Sequence, residues 1–467
     1  MPYSVPQNID HNKIFLVNFS ELEGRLDPIY YASNFLHRFT QSHSVKLKDV
    51  CVSFSSGFGA GKDEQTDEKN GHIQIRPTNI NNNGELVFDK NVFVPLQKTV
   101  GFVEKRTVLF NNTNSQELVG KTAILLEERE LYTSNHITSI VVDETKANAE
   151  YIWIILNVYQ RNKIFFSLCT NWNNQSGIGL DLLQSLKIPV PPLHIQQQIV
   201  NVYNAALSQR KKKLSESKAK LASIDQYLLG ELGITLPEDS HEKTFIVNYK
   251  DVDGGRLDPN FYRLEYSSLV SNLRESDFCK VKDVVVFSDE MWNQESLFSD
   301  YFPYLEISGI NLEYGQIEAI TLTRKKDAPS RAKMILRKGD LIVSLTRPMR
   351  GAIAIFDIAD YDVVIASTGF SVIRDVDSKR ISKDYLCIVL KSSIVLKQFA
   401  QRCSGGNYPA ITQYDLGCVS IPLPSLDKQQ EIADHISAIR AEAKALEDEA
   451  NTILEQAKKK VEKMILG

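Results

Sequence analysis

"IPVPPLHIQQQI" (Ile188–Ile199) returns 233 residues later as "IPLPSLDKQQEI" (Ile421–Ile432). In both copies the prolines stop whatever precedes them, and a glutamine-containing segment then opens a run with apolar residues at heptad spacing. After the first copy these are Tyr203, Leu207, Leu214, Leu221, Ile224 and Leu228. After the second they are Ile432, Ile436, Ile439, Ala443, Leu446, Ala450, Ile453, Ala457 and Met464, with only Lys460 breaking the series. Heptad spacing of this kind predicts two long helices of about 40 residues, roughly 60 Å each. Residues 194–236 carry six bases and three acids, and residues 427–467 seven bases and nine acids. Opposite net charge favours pairing the two helices with each other, antiparallel if a pseudo-two-fold relates the halves. The alternative lays each helix on its own domain.

Outward from this stretch the repetition continues. "GRLDP" occurs at Gly24–Pro28 and Gly255–Pro259, "FLVNF" (Phe15–Phe19) matches "FIVNY" (Phe245–Tyr249), and "VKLKDV" (Val45–Val50) matches "CKVKDV" (Cys279–Val284). A unit near 230 residues exceeds any solenoid repeat, so the pattern reads as a tandem duplication of a domain followed by a helix. Polar, Pro-containing "LPEDSHEK" (Leu236–Lys243) has the composition of a linker between the copies. Within each copy, "VLFNNTNSQELVGKTAIL" (Val108–Leu125) and "DLIVSLTRPMRGAIAIF" (Asp340–Phe356) read as strand, polar loop, strand, with Gly120 and Gly351 at matching places. "KDYLCIVLKSSIVLKQFAQ" (Lys383–Gln401) reads as helix, and the fold class is mixed α/β (α+β).

At 467 residues the chain suits two or three domains, and 43% hydrophobic with 24% charged residues is ordinary for globular protein. The start has no basic region followed by an apolar run, and "YIWIILNV" (Tyr151–Val158) is too short to span a bilayer, so a cytoplasmic location is expected. Six dispersed cysteines without a C-x-x-C pair fit neither a disulfide framework nor a zinc site and read as reduced, mostly buried thiols. A net charge of −4 argues against a free-standing basic DNA binder; if nucleic acid is the target, a partner shares the phosphate load.

Strings that suggest catalysis fail on inspection. "GFGAGKD" (Gly57–Asp63) has three residues where a phosphate loop needs four, and Asp63 stands in place of the magnesium-binding Ser or Thr, so it reads as a flexible surface loop. The only Pro-Pro, Pro191–Pro192, lacks the acid or amide before it and the aromatic after it that an amino-methyltransferase needs. Nuclease-like Glu-x-Lys pairs at Glu216/Lys218 and Glu442/Lys444 fall on the predicted helices, where such spacing is charge patterning. The eight histidines show no metal-binding spacing.

Polar loops remain. "FNNTNSQ" (Phe110–Gln116) and "TNWNNQSG" (Thr170–Gly177) concentrate Asn and Gln, which bond adenine bidentately in the major groove. Their counterparts, "SLTRPMRG" (Ser344–Gly351) and "CSGGNYPA" (Cys403–Ala410), carry Arg347 and Arg350, suited to guanine or phosphate. Asn-rich segments also serve as plain turns. A repeated frame with divergent loops, however, is how one chain reads two different half-sites. The candidate DNA contacts are Asn111, Asn112, Asn114, Lys121, Asn171, Asn173, Asn174 and Gln175 in the first copy, and Ser344, Thr346, Arg347, Arg350, Asn407 and Tyr408 in the second. "RKKK" (Arg210–Lys213) and "KKK" (Lys458–Lys460) offer phosphate clamps or solvated helix faces.

"GRLDPIYY", "FNNTNSQELVGKTA", "IPVPPLHIQQQI" and "IPLPSLDKQQEI" together resemble the specificity subunit of type I restriction-modification enzymes over essentially the whole chain. The resemblance implies target recognition domains at residues 1–190 and 237–422, each followed by a conserved helix, 191–236 and 423–467, paired as an antiparallel spacer. It implies a non-catalytic subunit that binds double-stranded DNA, two methyltransferase subunits and two restriction (motor-nuclease) subunits. S-adenosylmethionine, ATP and magnesium are expected on those partners, none on this chain. Family members often keep a Gly-rich loop before the strand leading into "IP-P"; "SGGNYPAIT" (Ser404–Thr412) keeps it, whereas "NWNNQSGIG" (Asn171–Gly179) departs from it. The rival readings are a methyltransferase-nuclease fragment, marked by S-adenosylmethionine binding of its own, and a coiled-coil scaffold that touches no DNA.

Overall fold

The computed structural model describes residues 16–17, 44–95, 101–172, 175–238, 244–249, 252, 257–274 and 277–466. The first "GRLDP" copy, Asn173 and Asn174 lie outside the described residues. Two compact units emerge: residues 1–211 with 450–467, and residues 212–449.

In the first unit the strands are β1 (Ser44–Lys46), β2 (Cys51–Ser56), β3 (Gly71–Ile75), β4 (Val92–Pro95), β5 (Phe102–Val103), β6 (Val108–Asn111), β7 (Thr113–Asn114), β8 (Thr122–Ile124), β9 (Leu131–Thr133), β10 (Ile137–Val142), β11 (Thr170–Trp172), β12 (Gln175–Gly177) and β13 (Lys187–Pro189). They form sheets in the orders β2-β10-β6-β8, β4-β3-β9-β5 and β11-β12-β7, and the pair β1-β13. Helices α1 (Ala149–Arg161), α2 (Ile164–Leu168) and α3 (Leu180–Ser185) accompany them. "YIWIILNV" is the body of α1, buried along its whole length beneath the first sheet.

The second unit repeats this plan with β14 (Phe278–Lys280), β15 (Val285–Ser288), β16 (Tyr301–Leu305), β17 (Ile310–Asn311), β18 (Gln316–Ile317), β19 (Thr321–Arg324), β20 (Ala332–Arg337), β21 (Leu341–Ser344), β22 (Ile353–Ile355), β23 (Val363–Ser367), β24 (Phe370–Val376) and β25 (Ser420–Pro422). Order β15-β24-β21-β22 mirrors β2-β10-β6-β8, and β19-β16-β23-β20 mirrors β4-β3-β9-β5 down to the one parallel pair in each, β16 with β23 and β3 with β9. The strand, loop, strand reading holds in both copies: β6 pairs with β8 and β21 with β22, and Gly120 and Gly351 both take positive φ, 86° and 68°. At Gly120 a Cβ would sit 2.2 Å from the Phe165 ring, so glycine is required there twice over.

The repeated motifs fold onto one another. Val45 of "VKLKDV" faces Ile188 of "IPVPP" in β1-β13, and Cys279 faces Ile421 in β14-β25. Each ladder is locked from beneath by a buried tyrosine, Tyr151 Oη donating to the Pro189 carbonyl (2.8 Å) and Tyr385 Oη to that of Pro422 (3.0 Å). The motif glutamines explain themselves next. Gln196 and Gln429 are fully buried. Gln196 Oε1 accepts from the Asn148 N–H (2.8 Å), and its Nε2 donates to the Pro191 carbonyl (2.7 Å). Gln429 accepts from the Ser382 N–H (2.9 Å) and donates to the carbonyls of Arg380 and Pro424 (2.8 and 2.9 Å). Asn148 caps α1, and Ser382 caps α6 (Lys383–Leu390). In each unit a glutamine thus ties the first turn of a long helix to the cap of the main domain helix, satisfying partly buried polar backbone groups.

The long helices are α4 (Leu193–Leu232) and α9 (Leu426–Leu466); α5 (Leu264–Arg274), α7 (Ser393–Arg402) and α8 (Gln413–Gly417) complete the second unit. The start of α4 shares the first core with the end of α9, Ile199, Val200 and Tyr203 packing with Leu454 and Val461. The end of α4 shares the second core with the start of α9, Ile224 and Leu228 packing with Ile432, Ala433 and Ile436. The pairing is therefore antiparallel. Ion pairs join the helices at Lys213–Glu449 (2.8 Å), Lys220–Glu442 (2.5 Å) and Lys428–Glu231. Both expectations for these helices are realised together, since each pairs with the other and also packs on its own domain. That double duty shifts the buried stripe: near the end of α9 it runs through Leu454, Ala457, Lys458 and Val461, which absorbs the break at Lys460. A straight helix drifts against a heptad, and the domain core takes up the rotated face.

Of the second "GRLDP" copy, Leu257–Pro259 are among the described residues: Asp258 Oδ1 accepts from the Phe261 N–H (3.0 Å), capping a short turn that buries Phe261. "GFGAG" is held down, contrary to the expected flexible loop. Gln74 Nε2 donates to the Phe58 carbonyl and Arg76 Nη2 to that of Ala60, while Gly57 lies against Thr133 with no room for a Cβ. All six cysteines are free thiols, four of them buried, and burial pushes Cys51 up to about 12.

Candidate nucleic-acid interface

In each unit the two polar loops, distant in sequence, are hydrogen-bonded neighbours. In the second unit Thr346 bridges to Ala410, the Arg347 N–H donates to the Pro409 carbonyl (2.7 Å), and Ile411 N–H donates to Leu345. Arg347 adopts a left-handed backbone (φ 49°), which turns its side chain back across the neighbouring loop. Its Nη2 donates to the Asn407 carbonyl (3.1 Å), and the guanidinium carbon lies 4.7 Å from the centroid of the Tyr408 ring. Tyr408 itself is 72% exposed, and Arg350 and Asn407 are also exposed. The guanidinium is oriented by a ring and a carbonyl that leave donors free for an outside acceptor. Thr346 is half-buried between the loops.

The first unit builds the same meeting from strands. β7 pairs with β12, Thr113 facing Gly177 and Asn114 facing Ser176, and β12 pairs with β11. Asn112 is half-buried, its Nδ2 donating to Thr138 Oγ1 (2.9 Å), while Asn114 Oδ1 accepts from the Ser115 N–H (2.8 Å). Asn171 is exposed but committed, accepting from Ser176 Oγ (2.6 Å). Gln175 is exposed.

Three candidates do not reach the surface. Asn111 is fully buried, with Nδ2 donating to the Leu118 carbonyl (3.3 Å). Lys121 sends its ammonium inward to the Ile80 carbonyl (2.5 Å), and burial lowers its pKa. Ser344 is buried and donates to the Thr346 carbonyl (2.8 Å). All three belong to the strands or strand edges that carry the loops, where side chains point into the domain. The basic runs are partly spent as well: Arg210 pairs with Glu85 (3.1 Å) and Lys458 donates to Asn83 (2.9 Å) and Glu455 (2.7 Å), leaving Lys211, Lys212, Lys459 and Lys460 exposed.

Large exposed side chains next to the candidates were not singled out by the sequence. Trp172, 47% exposed, lays its indole over Gly177 in the β11-β12 hairpin; Met349 and Tyr414 flank Arg347 and Tyr408 in the chain. The available signal was an aromatic or apolar residue inside a polar loop, which stacks on bases as readily as it fills a core. Among the described residues no group of three His, Cys, Asp or Glu side chains could hold a metal ion, and no helix is long and apolar enough to cross a membrane.

Two copies of one α/β domain, each presenting a pair of converging polar loops and each launching one of two antiparallel helices, define a duplicated recognition subunit. The chain belongs to the family described as "Type I restriction modification DNA specificity domain", whose profile matches residues 41–242 and 274–456. It is 23% identical over 435 residues to the putative type I restriction enzyme MjaX specificity subunit of Methanocaldococcus jannaschii, covering 90% of this chain and 92% of that one. The MjaVIII specificity subunit of the same organism is 24% identical over 294 residues, 61% of this chain and 62% of that one. Among solved structures, a chain from work on assembly and conformational transition of a type I R-M system is similar with a TM-score of 0.49 at 15% identity, covering 90% of this chain and 96% of that one. The S subunit of the type I restriction-modification system of M. genitalium gives a TM-score of 0.43 at 13% identity, with 90% and 95% coverage.

Proposed function

We propose that the two domains read the two halves of a split DNA sequence and that the antiparallel helices set the unread gap between them. As a type I restriction-modification specificity subunit, the chain supplies DNA sequence specificity to partner methyltransferase and restriction subunits. One observation carries the bipartite reading: the two four-stranded sheets and the terminal strand pair repeat in the same order while the converging loops differ, Asn- and Gln-rich in one unit and Arg347, Arg350 and Tyr408 in the other. Asn and Gln suit adenine edges, and arginine suits guanine or phosphate. Of the candidate contacts, Asn112, Asn114, Asn171, Gln175, Thr346, Arg347, Arg350, Asn407 and Tyr408 are the positions this reading retains among the described residues.

In this account residues to about 188 recognise one half-site, and residues from about 245 to about 420 recognise the other, in successive major grooves roughly 34 Å apart. Two methyltransferase and two motor-nuclease subunits join the chain in the cytoplasm. S-adenosylmethionine binds the former, ATP and magnesium the latter, and this chain performs no chemistry. Partners also supply much of the phosphate contact that a chain of net charge −4 lacks. The test replaces residues 1–188 with those of a relative, co-expresses the methyltransferase, and maps methylated motifs by modified-base sequencing. One half of the motif changes and the other stays; a change in both halves contradicts modular readout.

A further inference from the structure

In the first unit, Trp153 fills the space between α1, the turn at Gly84 and α4. It is 3% exposed, its Nε1 donates to the carbonyls of Gly84 (2.9 Å) and Thr122 (3.0 Å), and its ring meets Tyr203 edge-on with centroids 5.3 Å apart. The second unit has the same helix in the same setting, since Tyr385 there makes the bond that Tyr151 makes here. Two residues on from that tyrosine, however, stands Cys387 where the first copy has the indole. The space is not refilled. A cavity of about 670 Å³, within the range of small-molecule sites, opens beside Gly315, Ile317, Ile355, Cys387, Ala433 and Arg440.

Arg440 makes the cavity more than a packing defect. The corresponding position of α4 is Leu207, so the cation is peculiar to the second copy. Its Nε is buried with no hydrogen-bond partner, and no carboxylate lies within ion-pair distance among the described residues. Burial accordingly lowers its pKa. Arg440 is half-buried, and burying its Nε without an acceptor is costly unless something else supplies one. The acids around the cavity do not: Asp357 pairs with Lys338 (3.4 Å), Asp434 accepts from Gln430 (2.8 Å), and Asp384 is exposed in the first turn of α6. A recess of mixed polar and apolar lining therefore adjoins the unpaired Nε of Arg440, while the other lining cation, Lys444, is paired with Glu447 and Asp448 (3.8 and 3.7 Å).

We propose that this cavity binds a flat aromatic anion the size of an indole or a nucleobase, its ring taking the place that Trp153 fills in the first unit and its carboxylate or phosphate resting on Arg440. The site is separate from the polar loops and owes nothing to the DNA reading.

The test is calorimetric titration of the full chain, purified with its methyltransferase partner, with indole-3-acetate and with adenosine monophosphate. Binding of one or both probes is expected, and the preferred probe tells carboxylate from phosphate. Arg440→Met keeps the packing of the stem and weakens binding by about tenfold or more, the worth of a charge-assisted hydrogen bond. Cys387→Trp installs the first unit's solution and abolishes binding, with the melting temperature held or raised. Absence of binding to both probes overturns the assignment. So does binding that persists unchanged in Arg440→Met and in a folded Cys387→Trp protein, because such binding belongs to the partner.

Discussion

The guanidinium of Arg347 stands 4.7 Å from the centre of the Tyr408 ring while donating to the backbone carbonyl of Asn407, tying together two loops 60 positions apart. An arginine oriented in this way loses little side-chain freedom when it meets a guanine edge or a phosphate, so the stack prepares the contact before DNA arrives.

Replacing Arg347 or Arg350 by Ala, with partner subunits present, is expected to weaken binding to the cognate duplex by about 1–3 kcal/mol each. Tyr408→Phe keeps the ring beneath Arg347 and stays near wild type, whereas Tyr408→Ala falls toward Arg347→Ala. Fluorescence anisotropy with a labelled duplex measures all four. Unaltered affinity in both arginine variants would shift weight to a scaffold that touches no DNA.

Adjacent glutamines differ sharply in worth. Gln429→Ala strands the half-buried Ser382 N–H and leaves the carbonyls of Arg380 and Pro424 without their buried donor, and should cost about 1–3 kcal/mol in urea unfolding. Gln430, exposed and bonded only to Asp434, should cost within about 0.5 kcal/mol when replaced by Ala. Equal losses at the two positions contradict the anchoring role given to the motif.

Lys391 supplies a pH signature. Its ammonium donates to the carbonyls of Leu312 and Gly351 (both 2.9 Å), yet burial pushes its pKa down to about 8 from 10.5. Below pH 8 the buried charge penalises the fold in full. Between pH 8 and 10.5 the unfolded chain holds the proton and the folded one releases it, so stability rises with pH. The stability of wild type relative to Lys391→Met should climb by up to about 3 kcal/mol across that window. Urea unfolding at stepped pH checks it, and a flat difference refutes the burial argument.

Matched seven-residue insertions in α4 and α9 preserve the face that each helix presents, at roughly 10 Å of added length. Methylation mapping should then show a longer unspecified gap between unchanged half-sites. Altered bases within the half-sites would contradict the ruler.

Much of this architecture is legible in the amino-acid sequence because duplication writes each constraint twice. "IPVPP" and "VKLKDV" recur because they pair with each other, and a glutamine recurs because a half-buried helix cap needs it. The strand, loop, strand segments and the long helices follow from periodicity and from glycines with positive φ. Convergence of the loops is not legible, since nothing local in "SLTRPMRG" announces Tyr408. Composition also misplaces Asn111, Lys121 and Ser344, because polarity alone cannot tell a side chain that faces water from one that closes a buried backbone bond. The exchange of Trp153 for Cys387 is visible only once the two units are compared in three dimensions.

The central claim is that this chain chooses which DNA sequence its partners modify. Modified-base sequencing of the host genome with and without the gene tests it most directly. Loss of methylation at one bipartite motif, two short defined halves around an unspecified gap, is the predicted result. An unchanged methylation pattern, with the partner methyltransferase shown to be expressed, would contradict it.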